Sequence, residues 1–362
     1  MIASFTGTLA RMLTRMFIVR FIMILLGVSL FVLTLDVITY VNDILALKGA
    51  SAWAVPHYGL LRLPTIAASF IGISVLLAAL LMLMEVSNSN ELVAIWSTGV
   101  SQLRFIGMLV PIALLIGLMS FAINNYAIPR AAPTLHDWGI GDYGQKKLKV
   151  GENDPIWMRS GNDILRAVHS NPQATSLEDV IIFRRDTDGI LLEQIMAKKA
   201  ELVDGRWELS NVTLYYQQDL PPSRLDRMIY SGLMRPAAVG SRSGDPEEMS
   251  AADLEYFIQN GGFGIRPTQV YQTWLMKRYT SILTPLLMLA IAVPLAVRFK
   301  RGGGLGAMFA VGVGLGFTYF ILDGLSVTLG ELGMVPPWMA AWMPSMIFAA
   351  IAGMMISRVE NV

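Results

Sequence analysis

Chemistry in this chain would have to rest on few groups. Cysteine is absent, which rules out disulfides and thiolate metal sites. The histidines are His57, His136 and His169, and none sits in a convincing pair with a carboxylate or a second histidine. Two carboxylates stand out by their surroundings: Asp36 and Asp323 interrupt long apolar runs. An aspartate at the centre of a bilayer costs about 2.5–3.5 kcal/mol on insertion scales, and less near the interface. Both fall towards one end of their runs, so interfacial solvation and burial against a polar cavity stay open, the latter as part of a gate or packing seam. Four basic groups, Lys48, Arg62, Arg130 and His136, cluster at the ends of apolar runs and could meet anionic headgroups. Plain interfacial anchoring accounts for them equally.

A second group of residues suits docking better than catalysis. The stretch 85–99 reads as a capped helix, with Asn88 as N-cap, Glu91 at the third helical position and Gly99 as terminator. Leu92, Ile95 and Trp96 form its apolar stripe. One reading is an interfacial helix resting on headgroups, with Glu91 serving only the cap. The other is a coupling helix seated in a groove of a cytoplasmic motor subunit, with Glu91 pairing an arginine there. The glycine run at 302–306 is no phosphate loop, because Gly-Lys-Ser/Thr does not follow and no strand precedes it. Beyond it, Gly312 and Gly316 share a helix face at the spacing that allows close backbone approach in membranes. Packing and a moving gate are compatible readings of that face.

The elements that must position these groups are legible from charge depletion. Residues 63–84, 105–129, 279–297, 302–322 and 332–357 are nearly uncharged, and a further run at 21–35 is extended by 17–19 and 37–41. A hydrocarbon core about 30 Å thick needs roughly 20 apolar residues as helix, so each run can cross it. With 54% hydrophobic and 15% charged residues, the chain departs from the soluble balance. The net charge of +1 suggests no nucleic-acid partner. The first run follows Arg11, Arg15 and Arg20 like a signal peptide, but its length predicts a retained anchor. Arg104, Arg298, Lys300, Arg301 and Arg358 share a side with that arginine cluster, predicting cytoplasmic termini. The expected fold class is therefore membrane α-helical, six spans split three and three, with a periplasmic all-β domain inserted between them. The predicted boundaries are 1–129, 130–270 and 271–362.

Between about 150 and 235 the pattern changes to short alternating runs at 156–159, 164–169, 180–184, 191–202, 207–209 and 212–216. Asp188-Gly189 and Asp204-Gly205 are strong hairpin signals. A jellyroll or sandwich is expected, with residues 191–202 also readable as a helix. Asp186 and Asp188 are expected in a turn for backbone reasons alone. The segment 236–250 reads as a linker and 251–260 as a short amphipathic helix. An open edge strand of this domain could pair with a partner's sheet.

Taken together, Asn90-Glu91-Leu92-Val93-Ala94-Ile95 through Gly99, the block 277–285, Gly316-Phe317-Thr318-Tyr319-Phe320-Ile321-Leu322-Asp323, Pro336-Pro337 and Pro344-Ser345 resemble the lipopolysaccharide-export permeases, the LptF/LptG family. The last two spans and the Ile156-Trp157-Met158-Arg159 strand look closer to its LptG branch. The resemblance implies half of an exporter paired with a sibling permease, LptF, above a cytoplasmic LptB ATPase dimer, with LptC as a regulatory partner and lipopolysaccharide as cargo. It implies that Glu91 engages the ATPase, that the first and fifth spans act as lateral gates, and that ATP is used by the partner, with no cofactor on this chain. Where some members carry basic residues near the end of the first span, this chain has Thr39-Tyr40-Val41-Asn42-Asp43. Headgroup recognition would then fall to Lys48, Arg62 or Arg130, or to the sibling. A lipoprotein-release permease is the competing transporter class, disfavoured by the three-and-three split. A lipid-modifying membrane enzyme lacks the paired groups it would need, and a non-transporting scaffold docking through its sheet completes the alternatives.

Overall fold

The computed structural model describes residues 2–47, 53–88, 102–145, 155–169, 175–216, 221–232, 245–259, 266–300 and 305–360. The chain divides into two units: residues 1–41, 55–127 and 273–362 form one, and residues 42–54 and 128–272 form the other.

The first unit holds the long apolar helices. They are α1 (Ile2–Leu45), α2 (Ala54–Asn88), α3 (Gln102–Ala122), α7 (Thr268–Lys300), α8 (Leu305–Glu331) and α9 (Pro337–Glu360). Together they supply six segments long and apolar enough to span a bilayer, three on each side of the insertion, as expected. The third continues past α3 through a π-helical turn, Ile123–Ala127, into α4 (Ile128–Trp138). The uncharged run ends at Pro129, but the helix continues beyond it to Trp138. Buried residues from α1, α2, α3, α7, α8 and α9 form one apolar core, with Val75, Leu76, Leu80, Leu109, Leu289 and Ile291 fully or almost fully enclosed. The central staves are α2 and α7, whose most apolar windows are each 56% buried, against 17% for α1 and 22% for α8. Their outward Phe31, Ile38, Phe317 and Phe320 have no core partner to find, as expected of helices facing hydrocarbon.

In the second unit six antiparallel strands form one sheet in chain order: β1 (Ile156–Ser160), β2 (Asp163–His169), β3 (Ser176–Arg185), β4 (Leu191–Val203), β5 (Arg206–Tyr216) and β6 (Ser223–Tyr230). The all-β insert expected from the pattern is therefore present. Among the described residues its strands pair in chain order as a meander, in one sheet where a jellyroll or sandwich was the expected architecture. Two-residue turns at 161–162 and 204–205 leave β2 and β5 nowhere to go but alongside the strand before them. At the β4–β5 turn Asp204 and Gly205 both take positive φ, 49° and 78°, the pair of angles a type I′ turn requires. Residues 191–202 are strand, since tertiary pairing on both edges outweighs the local helix preference of Ala197 to Glu201. The runs 207–209 and 212–216 are one strand, with Asn211 at φ 54° between them. Strand β6, half-exposed and alternating weakly, escaped the sequence reading.

One face of the sheet carries the second core. Register lines Leu165, Ile182, Ile195 and Leu214 across four strands, with Ala200 against Leu209 and Trp207 against Tyr230. Asp186 Oδ1 accepts from the backbone N–H of Asp188 and Ile190, 3.0 and 2.8 Å away. The turn role expected of these aspartates is the one they have. Within the predicted linker Asp245 caps a 3₁₀ turn (Pro246–Glu248), and α6 (Ala251–Gln259) follows. The short helix α5 (Asp142–Gln145) lies between α4 and the sheet in sequence.

Candidate functional site

The groups able to do work inside the first unit are polar side chains placed between apolar helices. Asp36 on α1 faces α2, where its Oδ2 accepts from the Tyr58 hydroxyl at 2.8 Å and from Arg62 Nε at 3.3 Å. Tyr58 is fully buried, while Asp36 and Arg62 are each about one-sixth exposed at the side chain. Sequence reading had placed these two charges in separate roles, a gate carboxylate and a headgroup contact. The structure brings them together. Nearer the middle of α1 the helix meets α2 again through Arg20 and Glu85, an ion pair whose Glu85 is mostly in the open.

Asp323 on α8 likewise has a basic partner, Lys277 on α7. Two further bonds join the same helices, Trp274 Nε1 to Glu331 Oε1 at 2.6 Å and a 3.2 Å contact between the Thr284 and Tyr319 hydroxyls. A carboxylate inside an apolar helix is tolerable when a cation on its neighbour offsets desolvation. Spacing within one helix could not disclose either pairing, because the cation lies 26 residues away for Asp36 and 46 for Asp323.

The glycine pair on α8 packs on α2. A methyl at Gly316 would meet Ile73 and Leu76 at 3.2 and 3.3 Å, and one at Gly312 would run into the end of the Leu80 side chain. A tighter seam joins α3 to α7. At Gly117 a Cβ would lie 2.0 Å from the Ile282 carbonyl oxygen, so the two backbones touch where only glycine fits. Towards the π-turn, Phe121 stacks on Tyr279 with ring centroids 6.3 Å apart, and Asn124 Oδ1 accepts from Arg278 Nη1 at 2.8 Å. Arg278 is 3% exposed. Neither Gly117 nor Arg278 was singled out in the sequence, although a basic residue one step after Lys277 in an apolar context was the available signal.

The second unit separates Arg130 from His136, which had been grouped as headgroup contacts. Arg130 is exposed on α4. His136 is buried, its Nε2 lies 2.5 Å from Glu248 Oε2, and its ring meets Tyr143 edge-on. The periodicity Ile128, Ala131, Ala132, Leu135 already put His136 on the inward face, so its surface role is corrected. On β6, the Tyr230 hydroxyl donates to Asp163 Oδ2 at 2.9 Å, and burial first, then the Asp163 charge, pushes the phenol above its usual range. Asn88, expected to cap a following helix, is the last residue of α2. Glu91, Leu92, Ile95 and Trp96 lie outside the described residues, as do Lys48 and the glycines at 302–304.

Comparison with known proteins bears on what this arrangement serves. The model of the family described as lipopolysaccharide export system permease LptF/LptG matches residues 11–358. The lipopolysaccharide export system permease protein LptG of Escherichia coli K12 is 20% identical over 307 residues, covering 83% of this chain and 84% of that protein. Its namesake in Haemophilus influenzae is 21% identical over 314 residues, covering 84% and 86%.

Proposed function

The chain belongs to the LptF/LptG family of lipopolysaccharide export permeases, and from that premise we propose that it is the LptG-like permease subunit of an ATP-driven exporter. It pairs with a sibling permease of the LptF type and sits over a cytoplasmic LptB ATPase dimer, with LptC as regulatory partner. Lipopolysaccharide enters between the helices, is lifted from the inner membrane and passes along the β domain towards the outer membrane. The observation that carries this reading is the layout. Among the described residues, six apolar helices long enough to span a bilayer are split three and three in sequence by one antiparallel β sheet that has an apolar face of its own. Acyl chains held on such a face gain about 0.8 kcal/mol per CH₂ removed from water.

In this reading hydrolysis belongs to the ATPase, and residues 85–103 transmit its closure to α2 and α3. Glu91 pairs with an arginine of the motor, while Leu92, Ile95 and Trp96 fill its groove. Lys48, Arg62 and Arg130 are the candidates for headgroup contact, with Arg62 shared with Asp36. Both termini face the cytoplasm and the β domain faces the periplasm.

Two experiments test this. Glu91→Lys should abolish co-purification of the ATPase while the permease keeps its yield and its sibling. Undiminished co-purification would refute the coupling role. Because the chain has no cysteine, Lys198→Cys on exposed β4 gives a single label site. A membrane-impermeant thiol reagent should reach it once the outer membrane alone is opened. Labelling only after the inner membrane is breached would sink the orientation and the exporter with it.

A further inference from the structure

The two halves of α1 are held in different ways. Leu9, Leu13, Phe17 and Phe21, spaced every four residues, enter the apolar core, and Ile24 and Leu25 pack at its edge. Gly27 has open space where a side chain would stand. Beyond it Leu30, Phe31, Leu35 and Ile38 are between 51% and 65% exposed. In hydrocarbon such faces have no reason to prefer a neighbouring helix over lipid. Between Ser29 and Ile44, which are buried, the polar contact that joins this stretch to α2 is Asp36, bonded to Tyr58 and Arg62, with Leu33 resting against Gly59.

We propose that Asp36 is a positioning residue, a latch that holds the stretch of α1 from Leu30 to Val41 against α2 and whose release lets that stretch move away from α2 while the first half stays packed. Tyr58 and Arg62 form the fixed side, since α2 is a central stave of the core. A carboxylate facing lipid is costly and a carboxylate on Arg62 is not, so the latch has two separated states rather than a continuum. The Arg20–Glu85 pair cannot do this work, because Glu85 is mostly exposed and the core already fixes α1 there through Phe17 and Phe21. Helix α8 offers a contrast, being tied along its length by Gly312 and Gly316 on α2 and by Lys277, Trp274 and Thr284 on α7. The latch rests on the exporter reading in one respect only, that what the opened arm admits is lipid.

The test uses the full chain with its partners in reconstituted membranes. Leu33→Cys with Gly59→Cys reports the closed latch by disulfide formation. Asp36→Leu and Arg62→Gln should each slow that crosslink about tenfold, the size of a lost charge-assisted bond. Asp36→Arg with Arg62→Asp should restore it, separating the latch from misfolding. Arg20→Gln should leave it unchanged. Equal crosslinking with and without Asp36, or an equal loss in Arg20→Gln, would overturn the proposal. Lipopolysaccharide release should also stop when the disulfide is closed and resume on reduction. Release that continues through the closed disulfide would overturn the latch, whereas no release from the reduced parent would count against the exporter reading instead.

Discussion

The hydroxyl of Tyr230 on β6 donates to the carboxylate of Asp163 on β2, across four strand positions of a single sheet. Neighbouring strands lie about 4.8 Å apart, so a flat sheet would separate these strands by roughly 19 Å. A 2.9 Å bond between their side chains therefore requires the sheet to curl about its apolar face. An enclosed interior thus arises from a meander through curvature, without interleaved strands.

Tyr230→Phe should loosen that closure. A buried bond to a carboxylate contributes about 1.5–3 kcal/mol, and hydrogen exchange of β6 and the β1–β2 turn should speed up accordingly. The pH dependence has a definite sign. Burial raises the folded-state pKa of Tyr230 above that of the unfolded chain, so its contribution is whole below about pH 10. It drains away as pH rises from there through the folded value, because only the unfolded chain then gains by ionising. Exchange in the parent protein should accelerate above that pH, and Tyr230→Phe should flatten the dependence.

Gly117→Ala should destabilise the helical unit by more than the about 1–3 kcal/mol typical of overpacking, since the obstacle is the Ile282 carbonyl and backbone cannot turn aside. Gly107→Ala on the same helix, where nothing lies within 4 Å, should be neutral or mildly stabilising. Thermal unfolding of the two variants in one detergent compares them directly. Equal melting temperatures would contradict the α3–α7 backbone contact.

Asn124→Leu removes an acceptor from the buried guanidinium of Arg278. A loss of about 1.5–3 kcal/mol is expected, with faster amide exchange confined to the π-turn and the facing part of α7. Loss spread evenly over all six spans would argue against a local seam.

Lys277→Met and Asp323→Leu should each cost more than the two together. Removing one partner strands the other charge, while removing both leaves an apolar contact. Both side chains keep about one-fifth of their surface exposed, so the single losses should stay near 1–2 kcal/mol after screening. A double-mutant cycle in thermal stability measures the coupling, and strict additivity would show none.

Much of the candidate site was legible as residue types and little as partnerships. Asp36 and Asp323 declared themselves by being charged inside apolar runs, and Gly312 with Gly316 by their spacing. Arg62 looked like an ordinary interfacial cation and Lys277 was not singled out, because nothing in a linear chain says which helix will stand beside which. His136 was grouped with surface cations for lying at the end of an apolar run, whereas its burial depends on Glu248, 112 residues away. Strand β6 was missed because an edge strand owes its conformation to pairing with β5 rather than to its own alternation.

Hydrophobic run length and turn chemistry, both local, determined the membrane class, the six spans, their division around a β insert and most hairpins. Only the tertiary structure decided that Asp36 and Asp323 are each held by a basic residue on the neighbouring helix, that α3 and α7 meet backbone to backbone, and that the sheet closes by curling. The physical reason is the same for all three. Desolvated charges and close contacts take their free energy from neighbours distant in sequence, and side-chain spacing along one element encodes the face it presents but never the partner that meets it.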